Sequence, residues 1–490
     1  MKDLNRLAGQ TLVYGLGTML PRFLNYALLT PFYTAIFIKA EYGIVTELYA
    51  YMALLLVVLT YGMETGYFRF AQKSDNPEDV FSTSLISLLF TSLLFILLFN
   101  LFIDPVSVLM KYEEHRIYLR LFSFIVAIDA FTAIPFAKLR RDNRPLRFSF
   151  IKIVNVSVIV LLALFFYLLA PLLYDKGNSF VIKIYNPDFG VGYVFVANLA
   201  GSIVMLLCLL PEILAVKLKF SRWLWKKMII YSFPLLISGL AGIINDALDK
   251  VILRRLVDTD NPLATVGEYG AGYKIAMLMA LFIQMYRFAM EPFFFEKAGG
   301  KDARQTYATT MKYFVIYSLL LYLGLNLYIS VIQLILPGNY RIAMFIVPIV
   351  SMAYFLYGVF VNLSIWYKAN DLTKYGAYLT IMGAVITIAI NVLFVPKYSY
   401  LASAWAHIAC YGSMIIGSYF LSRKYYPINY EKGRILIYLL AAVLIVIAAR
   451  NINYGNISAE LGFNTLLILA FVALSEYMDG AVSVFFRRTK

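Results

Sequence analysis

Apolar residues run along this chain in blocks of about twenty, separated by short stretches of charge or of Pro, Gly and Asn. A block of that length matches the hydrocarbon thickness of a bilayer when wound as a helix. Six such blocks are predicted at 9–31, 43–66, 81–103, 117–137, 149–172 and 190–213. A basic connector carrying Lys217, Lys219, Arg222, Lys226 and Lys227 follows. Six more blocks lie at 230–253, 268–292, 312–336, 342–365, 374–395 and 400–421. Two further blocks, 434–450 and 461–479, precede the basic tail Arg487, Arg488 and Lys490. The pattern predicts an all-α polytopic membrane protein of about fourteen helices, divided into 1–218, 219–425 and 426–490. Lys2 and Arg6 before the first block resemble the start of a signal peptide. That block runs on past Pro21 and Arg22 without a small-residue cleavage site, so it is expected to remain as the first helix.

Composition removes the soluble alternative. Of 490 residues, 61% are hydrophobic and 14% charged, against about 45–50% and 25% in an ordinary soluble domain. The formal charge of +15 would suggest nucleic acid in a soluble protein, but here its placement is informative. With the N-terminus inside, the inner segments between blocks collect 24 of the 43 Lys and Arg and the outer loops 9, the other ten lying within the blocks, several of them at block ends. That asymmetry follows the positive-inside rule and puts both termini in the cytoplasm, with no nucleic-acid partner. Cys208 and Cys410 sit in apolar runs and only His115 and His407 are present, so neither a disulfide framework nor a metal site is expected. There is no Walker motif, and the largest outer connection, 173–189, is too short for a catalytic domain. An enzyme is not expected.

A self-match at an offset of 227 residues is the most informative pattern. Glu41, Tyr42 and Gly43 recur as Glu268, Tyr269 and Gly270; Met52, Ala53 and Leu54 as Met279, Ala280 and Leu281. Met63 and Glu64 recur as Met290 and Glu291, and Phe68 and Ala71 as Phe295 and Ala298, ten identities over 31 positions. The second and eighth spans run in the same direction, so the repeat is parallel. It predicts two six-helix lobes related by an axis along the membrane normal, with the last two helices outside the repeat, the plan of an alternating-access transporter.

Charges inside the spans are the candidate functional groups, since each costs at least about 2.5–3.5 kcal/mol to place mid-bilayer. In the first span Thr18, Arg22, Asn25 and Tyr26 share one helical stripe, with Arg22 about 20 Å deep. In the seventh, Asn245, Asp246, Asp249 and Lys250 form another, with Asp246 and Lys250 in acid-first i, i+4 order. Arg22, Asn25, Tyr26 and Lys250, with Lys274 and Arg287 from the eighth span, form the candidate substrate-binding set. Arg22 leads because a guanidinium offers a planar fork suited to phosphate. Asp129, Asp246, Asp249, Glu64 and Glu291 are the candidates for coupling to Na+ or H+; no other cofactor is expected. The structural alternatives stay open. Asp246 and Lys250 neutralise one another, Arg22 locks to Asp249 or to carbonyls, and Glu64, Glu291 and Arg287 form helix-end ion pairs. Lys152 and Lys274 snorkel.

The segments YGLGTMLPRFLNYALLTPFYTAIF with EYG at Glu41–Gly43, and INDALDKVILRRL followed by VGEYGAGYKIA, resemble the polysaccharide (O-antigen type) flippases of the multidrug and oligosaccharidyl-lipid exporter superfamily. With the spans and the repeat, the resemblance extends over the whole chain. It implies a MATE-like, V-shaped helical bundle in the bacterial inner membrane that moves an undecaprenyl-pyrophosphate-linked oligosaccharide to the outer leaflet. Basic cavity residues would hold the pyrophosphate and ion gradients would drive the cycle. Membrane lipids, a polysaccharide polymerase and chain-length proteins are the partners it suggests. The related peptidoglycan-precursor flippases carry more first-lobe arginines than this chain, which disfavours that substrate. Two other readings remain: a cation-coupled exporter of small molecules on the same fold, and, less favoured, a membrane polymerase or glycosyltransferase.

Overall fold

The computed structural model describes residues 19–21, 23–297, 302–368, 370, 372–452 and 454–483, without the side chains of Asn25, Tyr26, Ala289, Glu291, Pro292, Phe295, Glu296 and Lys297. Among these residues thirteen long helices carry the architecture: α1 (Lys39–Thr60), α2 (Pro77–Leu101), α3 (Arg116–Arg141), α4 (Pro145–Leu164), α5 (Gly192–Leu214), α6 (Arg222–Leu256), α7 (Pro262–Lys297), α8 (Ala303–Leu327), α9 (Val347–Leu363), α10 (Lys374–Tyr398), α11 (Tyr400–Tyr425), α12 (Lys432–Asn451) and α13 (Ile457–Asp479). No strand occurs among the described residues.

Twelve helices among the described residues are long and apolar enough to cross a membrane. They comprise α11's twelve companions, several lengthened by adjoining turns, and each coincides with a predicted block. Of the other two blocks, 400–421 falls on α11, whose Ser, Gly, His and Tyr content lowers its hydropathy. Block 9–31 is described at 19–21 and 23–31, where Asn25–Leu29 and Thr30–Ile36 are helical, and its remainder lies outside the described residues, as do Arg487, Arg488 and Lys490 of the tail.

Local chemistry sets the helix ends. Pro77 and Pro145 open α2 and α4, where a missing N–H costs nothing. Asn456 caps α13 by accepting from the Ala459 N–H at 2.7 Å, and Gly480 closes it in the left-handed region at φ 59°. Tyr61 and Gly62, at φ 35° and 70°, separate α1 from the short Met63–Lys73 helix that continues its span.

The chain divides into two compact units. One takes in the chain up to Arg255 together with Asn261–Gly267; the other holds Leu256–Asp260 and the chain from Glu268. In the first, α3 packs against α1, α2 and α5, and α4 against α5. In the second, α11 packs on α9 and α10, while α8 packs on α9, α12 and α13. The division at 218/219 expected from the repeat concerns sequence equivalence, which compactness does not measure. α6 groups with the first unit because both of its ends are held there, Trp225 donating to Ser87 at 2.8 Å and Met228 packing with Met63 and Tyr67 at one end, and Arg254 pairing with Glu47 at the other.

Close backbone approach explains two of the repeat's neighbouring glycines. A Cβ on Gly43 would strike the Leu263 carbonyl, and one on Gly267 the Lys39 carbonyl. The first turns of α1 and α7 therefore cross with no room for a side chain, the small-residue contact by which membrane helices gain packing.

Candidate functional site

Charged residues four apart lie on one helix face, and α6 carries such a ladder in Asp246, Lys250 and Arg254, flanked by Asn245 and Asp249. Asn245, Asp249, Lys250 and Arg254 are all buried. Lys250 Nζ lies 2.8 Å from Asp249 Oδ1 and donates to the Asp246 backbone carbonyl at 3.0 Å. The ladder occupies the last three turns of α6, which runs three residues past the predicted 230–253 block.

The top rung, Arg254, was not among the candidates. It forms an ion pair with Glu47 of α1, which is fully buried, and its guanidinium lies 4.3 Å from the centroid of the Tyr112 ring. It also donates to the carbonyls of Met110 at 3.1 Å and Lys111 at 2.8 Å. Those carbonyls end the Ile103–Met110 helix, where Lys111 turns left-handed at φ 58°, so a cation meets a helix's negative end. Tyr112 donates to Glu47 Oε2 at 2.7 Å. Burial, with the carboxylate beside it, holds the Tyr112 hydroxyl well above its ordinary pKa and keeps it a donor. Next door, Arg255 donates to the Leu109 carbonyl at 2.6 Å. Glu47 breaks an apolar run eight residues into α1, and the rule that singled out Asp129 would have found it. Its partner, 207 residues away, carries no local signal.

A second polar site lies deeper in the same unit. Asp129 of α3 accepts from Ser202 of α5 at 2.8 Å. Lys152 of α4 and Tyr49 of α1, the latter bonded to Asn198 of α5, lie within electrostatic reach of the carboxylate. Lys152 Nζ itself sits 3.9 Å over the Phe136 ring. Three helices thus contribute polar groups around one carboxylate borne by a fourth. Ser202, Asn198 and Tyr49 escaped the sequence reading because single hydroxyls and amides are common in membrane helices.

The remaining candidates are dispersed. Glu64 forms an ion pair with Arg140, whose guanidinium lies 5.1 Å over Phe68. In the second unit, Lys274 is half-buried on α7, and Arg287 is exposed beside a small recess with Tyr286, Ser364 and Lys368. Arg22 lies outside the described residues, as do the side chains of Asn25, Tyr26 and Glu291; Asn25 and Tyr26 themselves fall in a π-turn, Asn25–Leu29. The structure therefore gathers Asp246, Asp249 and Lys250, adds Glu47 and Arg254, and surrounds Asp129 separately. No group of three or more metal-ligating side chains occurs among the described residues.

The family model described as "Polysaccharide biosynthesis protein" matches residues 7–297. No curated protein matches the chain by sequence. Among solved structures, "Lipid II flippase MurJ, inward closed conformation" is similar at a TM-score of 0.73 and 14% identity, over 95% of this chain and 99% of that one. An inward-facing multidrug resistance MATE family transporter of the MOP superfamily gives 0.56 and 17%, over 85% and 92%. A MATE in the bent conformation gives 0.57 and 16%, over 85% and 94%. At these identities the likeness is one of fold, and it agrees with the all-α polytopic architecture expected from the sequence.

Proposed function

Because the chain belongs to the polysaccharide biosynthesis protein family, matched over residues 7–297, we propose that it flips an undecaprenyl-pyrophosphate-linked oligosaccharide across the bacterial inner membrane. The family match carries the reading, and the fold likeness to a lipid II flippase over 95% of the chain supports it. Fourteen crossings with both termini in the cytoplasm complete the proposed topology. Arg22 and Lys250 supply positive charge for the diphosphate, with Asn25, Tyr26, Lys274 and Arg287 as further cavity contacts. The isoprenoid tail stays in lipid while the polar part crosses by alternating access.

Coupling to a H+ or Na+ gradient is proposed to use Asp129. A carboxylate held by one serine and surrounded by Tyr49, Asn198 and Lys152 has room for a change of charge that a tightly paired carboxylate lacks. Asp246, Asp249, Glu64 and Glu291 remain secondary candidates. In proteoliposomes, Asp129→Asn is expected to abolish the stimulation of flipping by an imposed gradient while leaving gradient-free exchange. Equal stimulation of both proteins would remove Asp129 from the mechanism.

The fold likeness to multidrug transporters favours a second reading, export of small cationic compounds. Cells lacking their drug pumps would then gain resistance on expressing this chain. Under the flippase reading they gain none, and loss of the protein instead leaves lipid-linked repeat units accumulating inside.

A further inference from the structure

A cavity of about 400 Å³ opens where α8 and α12 end and α13 begins, within the second unit. That volume falls in the range of small-molecule sites. Its lining is unusual for so apolar a chain: Arg450, Glu460, Asn326, Asn464 and Tyr454 all face the same space. Arg450 and Glu460 are not bonded to each other, and Arg450 makes no hydrogen bond or ion pair with any described residue. Asn326 is 2% exposed, and its Oδ1 is buried without a hydrogen-bond partner. Three membrane helices terminate here, so the cavity stands at the edge of the hydrocarbon, where lipid head groups lie.

A separated guanidinium and carboxylate, with an unused amide oxygen in the wall, are complementary to a ligand that carries both charges. We propose that this cavity holds a phosphoethanolamine group of a membrane phospholipid: the phosphate on Arg450, the ammonium toward Glu460 and Asn326. Arginine meets phosphate oxygens through charge-assisted bonds, whereas an ammonium supplies the donors that a carboxylate and an amide oxygen accept. The site is independent of the transported substrate and of the proposed flipping, since no residue proposed for transport lines it.

Native mass spectrometry of the full chain, delipidated and then titrated with defined lipids, tests this. Phosphatidylethanolamine is expected to be retained in preference to phosphatidylglycerol. Arg450→Ala should lower retention of both, by roughly tenfold for the ethanolamine lipid, the worth of one or two charge-assisted hydrogen bonds. Glu460→Gln should lower the ethanolamine lipid alone and erase the preference. Both positions are at least partly exposed, so the variants are expected to fold, and melting temperature provides the check. Equal retention of the two lipids by the unaltered protein would overturn the proposal, as would an unchanged preference in Glu460→Gln. Displacement of the lipid by millimolar soluble phosphoethanolamine would overturn the lipid as source and leave the free head group.

Discussion

Two charge clusters, one buried and one reaching the surface through Arg434, hold this molecule together in opposite ways. In the first unit, Glu47 has one base, Arg254, and one hydroxyl, Tyr112, and Arg254 has one acid. In the second, Asp479 at the end of α13 takes Lys312 at 2.8 Å, Arg434, and the Tyr438 hydroxyl at 2.6 Å, while Glu431 shares both bases, reaching Lys312 at 2.7 Å and Arg434 at 3.2 Å. The first cluster joins α6 to segments 144 and 207 residues earlier in the chain. The second ties α12 and α13 onto α8. One acid with one base has no spare partner, whereas two of each can re-pair when one is lost. The difference suits a clasp on a helix end in one case and a permanent anchor for the two helices outside the repeat in the other.

The comparison can be broken experimentally, and the largest effect belongs to Glu47→Ala. It strands a buried guanidinium and is expected to cost about 3–5 kcal/mol, read as the loss of thermal stability in detergent. Removing both partners, as Glu47→Ala with Arg254→Ala, should recover part of that cost; strict additivity would mean the pair is not coupled. Asp479→Asn should cost less, about 1.5–3 kcal/mol, because Glu431 still holds Lys312 and Arg434. A loss as large as that of Glu47→Ala would cancel the distinction between clasp and anchor. Gly43→Ala, one turn before Glu47, pushes a methyl into the Leu263 carbonyl and should cost about 1–3 kcal/mol through overpacking. Tyr112→Phe should be mildest, about 0.5–1.5 kcal/mol, since Arg254 continues to satisfy Glu47 Oε2.

The spans were legible because a bilayer demands about twenty apolar residues per helix and tolerates few exceptions. Proline and asparagine punctuation even placed the starts of α2 and α4 within a few residues. What resisted reading was partnership. Asp246 and Lys250, spaced four apart, suggested a pair, yet the lysine's 2.8 Å contact is with neighbouring Asp249, because side-chain direction decides between carboxylates that spacing alone leaves equivalent. Glu47 with Arg254, and Asp129 with Ser202, join positions far apart in sequence, and no local periodicity reports such contacts. Arg254 lies one residue beyond the predicted 230–253 block, although α6 continues through it to Leu256. The apolar run ends before the helix does, since a charged last turn needs only partners, not lipid.

The flippase reading meets its most direct test in proteoliposomes holding the purified chain and an undecaprenyl-pyrophosphate-linked oligosaccharide whose sugar is accessible to an added enzyme only on the outer face. Protein-dependent exposure of the sugar from the inner leaflet, slowed by Arg22→Ala in protein that melts normally, is the predicted result. Exposure no faster than in protein-free vesicles, with a cationic dye moved by the same preparation, would contradict it.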